Sequence, residues 1–135
     1  WKAQLAANIK RFQSGESCCL VMLNHEENEV LGVCNFTQIA RGTMQSCQLG
    51  YSLAASHEGQ GLMQEALISA LDYVFLELEL HRIMASYIPD NKRSADLLSR
   101  LGFEIEGQAR QYLRIDGRWQ DHVLTALINP FEPGP

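Results

Sequence analysis

The sequence predicts an α+β protein: a mixed, mostly antiparallel sheet with one parallel β-α-β crossover in its middle. Three observations lead there. Three short apolar runs joined by polar turns fill residues 18–53, the pattern of an antiparallel meander. The apolar period then becomes helical over 62–78 and a strand pattern follows, which makes a crossover between parallel strands. Near the end, Asp116-Gly117 joins two alternating runs, a strong hairpin signal.

Each element has its own justification. Trp1, Leu5, Ile9 and Phe12 fall at helical spacing and Ser14-Gly15 closes the pattern, so a helix is expected first. Residues 18–23 form a buried strand, and His25 to Asn28 a polar turn. Residues 29–38 form a second strand with Val30, Gly32, Cys34 and Phe36 on one face. Arg41-Gly42 marks a turn and residues 44–53 a third strand, with Gly50 inside it. A glycine there often marks a bulge or a close backbone approach. Leu62, Ala66, Leu67, Ala70, Leu71, Val74, Phe75 and Leu78 make one wide helical stripe. Residues 82–88 form a strand that Pro89 ends. Asn91 can cap a second helix whose Ser94, Leu97, Leu98 and Leu101 share a face, and Gly102 ends it. The hairpin strands cover 103–115 and 118–127.

The chain has 135 residues, enough for one domain with a full core and too few for two. Its 46% hydrophobic and 20% charged content is that of a globular protein. Eleven Lys and Arg against 16 Asp and Glu give a net charge of −5, which argues against nucleic-acid binding. No apolar run reaches the roughly 20 residues of a membrane span, so no membrane partner is expected. Cys18, Cys19, Cys34 and Cys47 lack zinc or disulfide spacing and read as buried reduced thiols of a cytoplasmic protein. His57, His81 and His122 have no ligand spacing, and no metal is expected. Trp1 opens inside a helical pattern without a starting Met, so the domain is expected to continue upstream.

Two stretches can carry chemistry. Residues 53–63, Leu-Ala-Ala-Ser-His-Glu-Gly-Gln-Gly-Leu-Met, run from strand to helix through a glycine turn. Unpaired amides and the helix dipole at such a turn favour an anion such as a pyrophosphate. Alone, the glycines read first as a structural turn. They form neither a P-loop nor a dinucleotide fingerprint. Asn91-Lys92-Arg93-Ser94 follows the next strand, so the crossover returns it beside the glycine turn. Alone, these four residues read as a capped, solvated helix start.

Together the two stretches resemble the GNAT acyl-CoA N-acyltransferases. The likeness runs from the first helix to the last strand and includes Leu101-Gly102-Phe103. The family's Gln/Arg-x-x-Gly-x-Gly/Ala signature stands here as Ser56-His57-Glu58-Gly59-Gln60-Gly61, with Ser56 in place of the usual first residue. Further strings are similar to the ribosomal-protein N-acetyltransferase branch of that family: Gly32 to Phe36, Leu49 to Ser52, Gly61 to Leu67, His81 to Ala85, Asn91 to Ser94 and Asp116 to His122.

The resemblance implies a GNAT fold, with its usual opening strand and helix lying upstream of Trp1. It implies acetyl-CoA as co-substrate, in the splay between the third and fourth strands named above. The cofactor-binding residues would be Leu53, Ala54, Glu58, Gly59, Gln60, Gly61, Leu62, Met63, Asn91, Lys92 and Ser94. It implies transfer to the N-terminal α-amino group of a ribosomal protein, one with an alanine or serine N-terminus, by direct attack. In many members a tyrosine on the second helix protonates the leaving thiolate, but Leu98 stands at that position. In the ribosomal-protein branch the serine of Asn-x-x-Ser is the proposed substitute, so Ser94 is the candidate proton donor and Asn91 its companion. Tyr51 and Asn35 are the candidate acceptor contacts. Glu58 and Glu104 are candidate bases, beside a water relay or a base upstream. Tyr112 and Trp119 flank the hairpin and read first as packing residues. A small-amine acetyltransferase and a non-catalytic acetyl-CoA-binding ribosome-assembly module are the alternatives, and a monomer or weak dimer is expected.

Overall fold

The computed structural model describes residues 4–6, 17–23, 30–53 and 62–132. In chain order the elements are β1 (Gln4–Ala6), β2 (Cys18–Leu23), β3 (Val30–Ala40), β4 (Ser46–Leu53), α1 (Leu62–Leu76), β5 (Arg82–Tyr87), α2 (Lys92–Arg100), β6 (Glu104–Ile115) and β7 (Arg118–Ile128). They build one seven-stranded sheet in the order β1-β2-β3-β4-β5-β7-β6. The β4–β5 pair is parallel and the other pairs are antiparallel, as the crossover and the two hairpin regions require.

One expectation is corrected. The helical spacing of Trp1, Leu5, Ile9 and Phe12 predicts a helix, but Gln4–Ala6 is a strand that pairs antiparallel with Val21–Leu23 of β2. Without it, β2 would be the edge of the sheet, with a row of unpaired backbone groups. Satisfying that edge outweighs a four-residue periodicity. Trp1, Ile9 and Phe12, and the polar turn at His25 to Asn28, lie outside the described residues.

One face of the sheet carries the core. Leu20, Cys34, Phe36, Cys47, Leu49 and Ile83 from the strands meet Leu67, Ala70 and Val74 of α1 and Leu97 and Leu98 of α2. Alternation along β3 and β4 sends Asn35, Thr37, Gly50 and Ser52 to the opposite face, where all four are exposed. Gly50 makes no bulge: it pairs in register with Asn35, and a Cβ there would meet nothing within 4 Å.

The helix ends follow their sequence signals. Asn91 caps α2 through its side chain. Gly102 adopts φ +97°, and the closing bonds run from Gly102 N to Ser99 O and from Phe103 N to Leu98 O, a Schellman ending. Asp116 and Gly117 both have positive φ, the backbone of the tight turn that Asp-Gly favours.

Candidate active site

The two strands of the crossover part company. β4 and β5 pair only through Ser46–Arg82, Cys47–Ile83 and Gln48–Met84. β4 then continues to Leu53 and β5 to Tyr87 without further pairing between them. The result is a V-shaped opening in the middle of the sheet, at the carboxyl ends of two parallel strands, the usual place for a ligand.

Ser94 stands beside this opening in the first turn of α2 and is held from two sides. Its backbone N–H donates to Asn91 Oδ1 at 3.2 Å. Its Oγ accepts a hydrogen bond from the Tyr51 hydroxyl at 2.9 Å. Tyr51 lies on β4 beyond Gln48, the last residue joined to β5, so the Tyr51–Ser94 pair bridges strand and helix at the opening. Burial pushes the Tyr51 phenol above its ordinary value. The Ser94 bond draws it partly back and the neighbouring Cys34 thiol pushes it up again. Tyr51 is therefore a protonated donor throughout the neutral range.

Asn35 is placed differently. It pairs with Gly50, whereas Tyr51 pairs with Cys34, so Asn35 and Tyr51 lie on opposite faces of the sheet. The two candidate acceptor contacts do not share a face. Asn91 does what its position in a helix cap dictates, and Lys92 follows it, exposed at the helix start. Leu53 ends β4, and Leu62 and Met63 open α1. Ala54, Glu58, Gly59, Gln60 and Gly61 lie outside the described residues.

The remaining candidates fall away from the opening or into the core. Leu98 is 1% exposed and belongs to the core, so neither its chemistry nor its position allows a proton donor there. Glu104 begins β6 and is exposed. Trp119 is exposed, and Tyr112 lies against the ring of buried His122, with centroids 5.6 Å apart. His81 Nδ1 meets Glu132 Oε2 at 2.8 Å. Among the described residues no three metal-ligating side chains gather, and no described helix is long and apolar enough to cross a membrane.

Cys34 and Cys47 are poor nucleophiles. Burial pushes the Cys34 and Cys47 thiols up to about 12. A reactive cysteine needs its thiolate near neutral pH, which these do not offer. Among the described residues, the opening thus presents the paired hydroxyls of Tyr51 and Ser94.

The sequence missed the Tyr51–Ser94 contact. Its signal was present in the alternation of β4, which puts Tyr51 on the inner face with Cys47 and Leu49. No spacing rule, however, says that a strand tyrosine reaches a helix 43 residues later.

A central pair of strands whose pairing ends midway and a capped Asn-x-x-Ser helix beside it are the site of an acyl-CoA N-acyltransferase. The profile of the Acetyltransferase (GNAT) domain matches residues 2–104. This chain belongs to the GNAT acetyltransferase family and is an acetyl-CoA-dependent N-acetyltransferase domain. It is 47% identical over 135 residues to the [ribosomal protein uS5]-alanine N-acetyltransferase of Escherichia coli strain K12, covering 99% of this chain and 70% of that protein. The crystal structure of the ribosomal-protein-S5-alanine acetyltransferase of Vibrio fischeri superposes with TM-score 0.84 at 38% identity, over 90% of this chain and 67% of that one. Mycobacterium smegmatis RimJ in complex with CoA-disulfide superposes with TM-score 0.83 at 33% identity, over 90% and 57%.

Proposed function

We propose that the protein transfers acetyl from acetyl-CoA to the N-terminal α-amino group of a ribosomal protein that begins with alanine or serine. The observation that carries the reading is Ser94, fixed by Asn91 and Tyr51 beside the opening between β4 and β5. The similarity to alanine N-acetyltransferases of ribosomal proteins supports the choice of acceptor.

The residues fit acetyl-CoA. The parted strands leave backbone groups of residues 49–53 facing the opening, suited to an arm that carries amides. The glycine-bearing sequence Gly59-Gln60-Gly61 ahead of α1 and the start of that helix suit a pyrophosphate. Leu53, Ala54, Glu58, Leu62, Met63, Asn91 and Lys92 complete the proposed cofactor side. The acceptor approaches from the face that bears Asn35 and Gly50, where small and polar groups leave space for a peptide backbone.

The chemistry asked of the chain is modest. An α-amino group titrates near pH 8, so an appreciable fraction is already neutral at pH 7. The amine nitrogen bonds to the acetyl carbon as the carbon–sulfur bond breaks. The sulfur takes the Ser94 hydroxyl proton, and the surplus amine proton, relayed by solvent or a base, replaces it on Ser94. Ser94 supplies a fixed donor where negative charge develops, which is worth more than a mobile water.

The test is acetyl transfer to short peptides with N-terminal Ala or Ser, read by product mass, with spermidine as control. Acetylated peptide and a loss of about 100-fold or more in kcat for Ser94→Ala are expected. Transfer to spermidine alone would move the reading to a small-amine enzyme. Acetyl-CoA binding without transfer to any acceptor would leave a non-catalytic binding module.

A further inference from the structure

We infer that Tyr51 is a positioning residue for acetyl transfer, a fixed donor that aims the Ser94 hydroxyl into the opening between β4 and β5. The inference rests on the proposed role of Ser94.

A serine hydroxyl turns freely and has one proton and two acceptor positions. When Tyr51 donates to Ser94 Oγ at 2.9 Å, the Ser94 proton cannot point toward Tyr51. The backbone of Ser94 is fixed at the same time, because its N–H is held by Asn91 Oδ1. With backbone and oxygen both set, the Ser94 proton is left for the sides that do not face Tyr51. Hydrogen bonds in a chain also polarise one another, so a Ser94 that accepts from Tyr51 is the stronger donor.

Tyr51 is suited to a fixed role. It is half-buried on β4, with Cys34 opposite it on β3 and Ser94 above it on α2. The Cys34 thiol is neutral near pH 7, because burial holds it protonated up to about 12. Tyr51 keeps its proton through the reaction. The proton that the sulfur receives is that of the Ser94 hydroxyl, and the surplus amine proton, relayed by solvent or a base, replaces it on Ser94.

The test is a double-mutant cycle on steady-state transfer, with Tyr51→Phe, Ser94→Ala and the pair, and with CoA affinity measured separately by calorimetry. Tyr51→Phe keeps the ring and removes only the donor. It is expected to lower kcat about 10-fold, with KM for acetyl-CoA and CoA affinity nearly unchanged. In the Ser94→Ala background the same change is expected to cost almost nothing more, because the two act as a unit. If Ser94→Ala lowers kcat and Tyr51→Phe does not, the positioning role is overturned and the Ser94 role stands. Additive losses overturn it in the same way. If Ser94→Ala leaves kcat unchanged, or the parent transfers nothing, the underlying reading fails and Tyr51 falls with it.

Discussion

The Asn91 side chain accepts the Ser94 backbone N–H at 3.2 Å, so the cap of α2 and the position of the candidate proton donor are one structure. An N-cap oxygen satisfies an amide that the helix itself leaves unpaired. Losing it frays the turn that carries Ser94. Asn91→Ala is expected to cost about 1 kcal/mol in urea unfolding and to lower kcat. Asn91→Asp keeps the cap oxygen and should retain stability. If Asn91→Asp also retains acetyl-CoA affinity, the amide of Asn91 serves the helix; if affinity drops, it contacts the ligand as well.

Asn129 ties the end of β7 back to the crossover. It is 7% exposed, its side-chain amide donates to Leu80 O at 2.9 Å, and its own Oδ1 accepts from Phe131 N at 2.8 Å. Asn129→Ala strands the buried Leu80 carbonyl that now receives the amide. Unfolding in urea should show a loss of about 2–3 kcal/mol, with kcat per folded molecule unchanged.

The two raised thiols give the fold an alkaline limit. Cys34 and Cys47 have an ordinary value of 9.0 and are pushed up to about 12 by burial. The folded state therefore binds more protons than the unfolded state between those values. Their stabilising effect is complete below pH 9 and is lost as pH rises toward 12. The urea midpoint is expected to hold up to pH 9 and fall above it. Cys34→Ala should flatten that fall, though at the cost of some core packing.

Leu98, the position at which the family resemblance implies a tyrosine, is packed into the core. Leu98→Tyr therefore overpacks a filled space and buries a hydroxyl. It should destabilise by about 1–3 kcal/mol. It should not restore transfer to Ser94→Ala, as assayed on an N-terminal Ala peptide. Restored activity would mean that α2 can turn to present this position to the opening.

Much of the fold was legible because period and punctuation agreed. The stripe from Ala66 to Phe75 is buried as read, and Asn91, Gly102 and Asp116-Gly117 mark their helix ends and turn where they stand in the sequence. The opening strand was misread because four residues at helical spacing say nothing about an unpaired neighbour such as β2. At the site, Ser94 and Asn91 were legible from their spacing within one helix turn. The Tyr51 contact and the placement of Asn35 on the far face were not, since both depend on register between strands and on the path of α2.

The parting of β4 from β5 also bears on how the protein holds itself together. Most sheets satisfy the inner edge of every interior strand with another strand. Here, among the described residues, β4 past Gln48 has β3 on one side and no strand on the other. Among the described residues the sheet is in effect one rung-set short past Gln48. An amide-bearing guest that fills the gap would act as a keystone. Its binding would raise the melting temperature with the logarithm of its concentration once that concentration exceeds Kd.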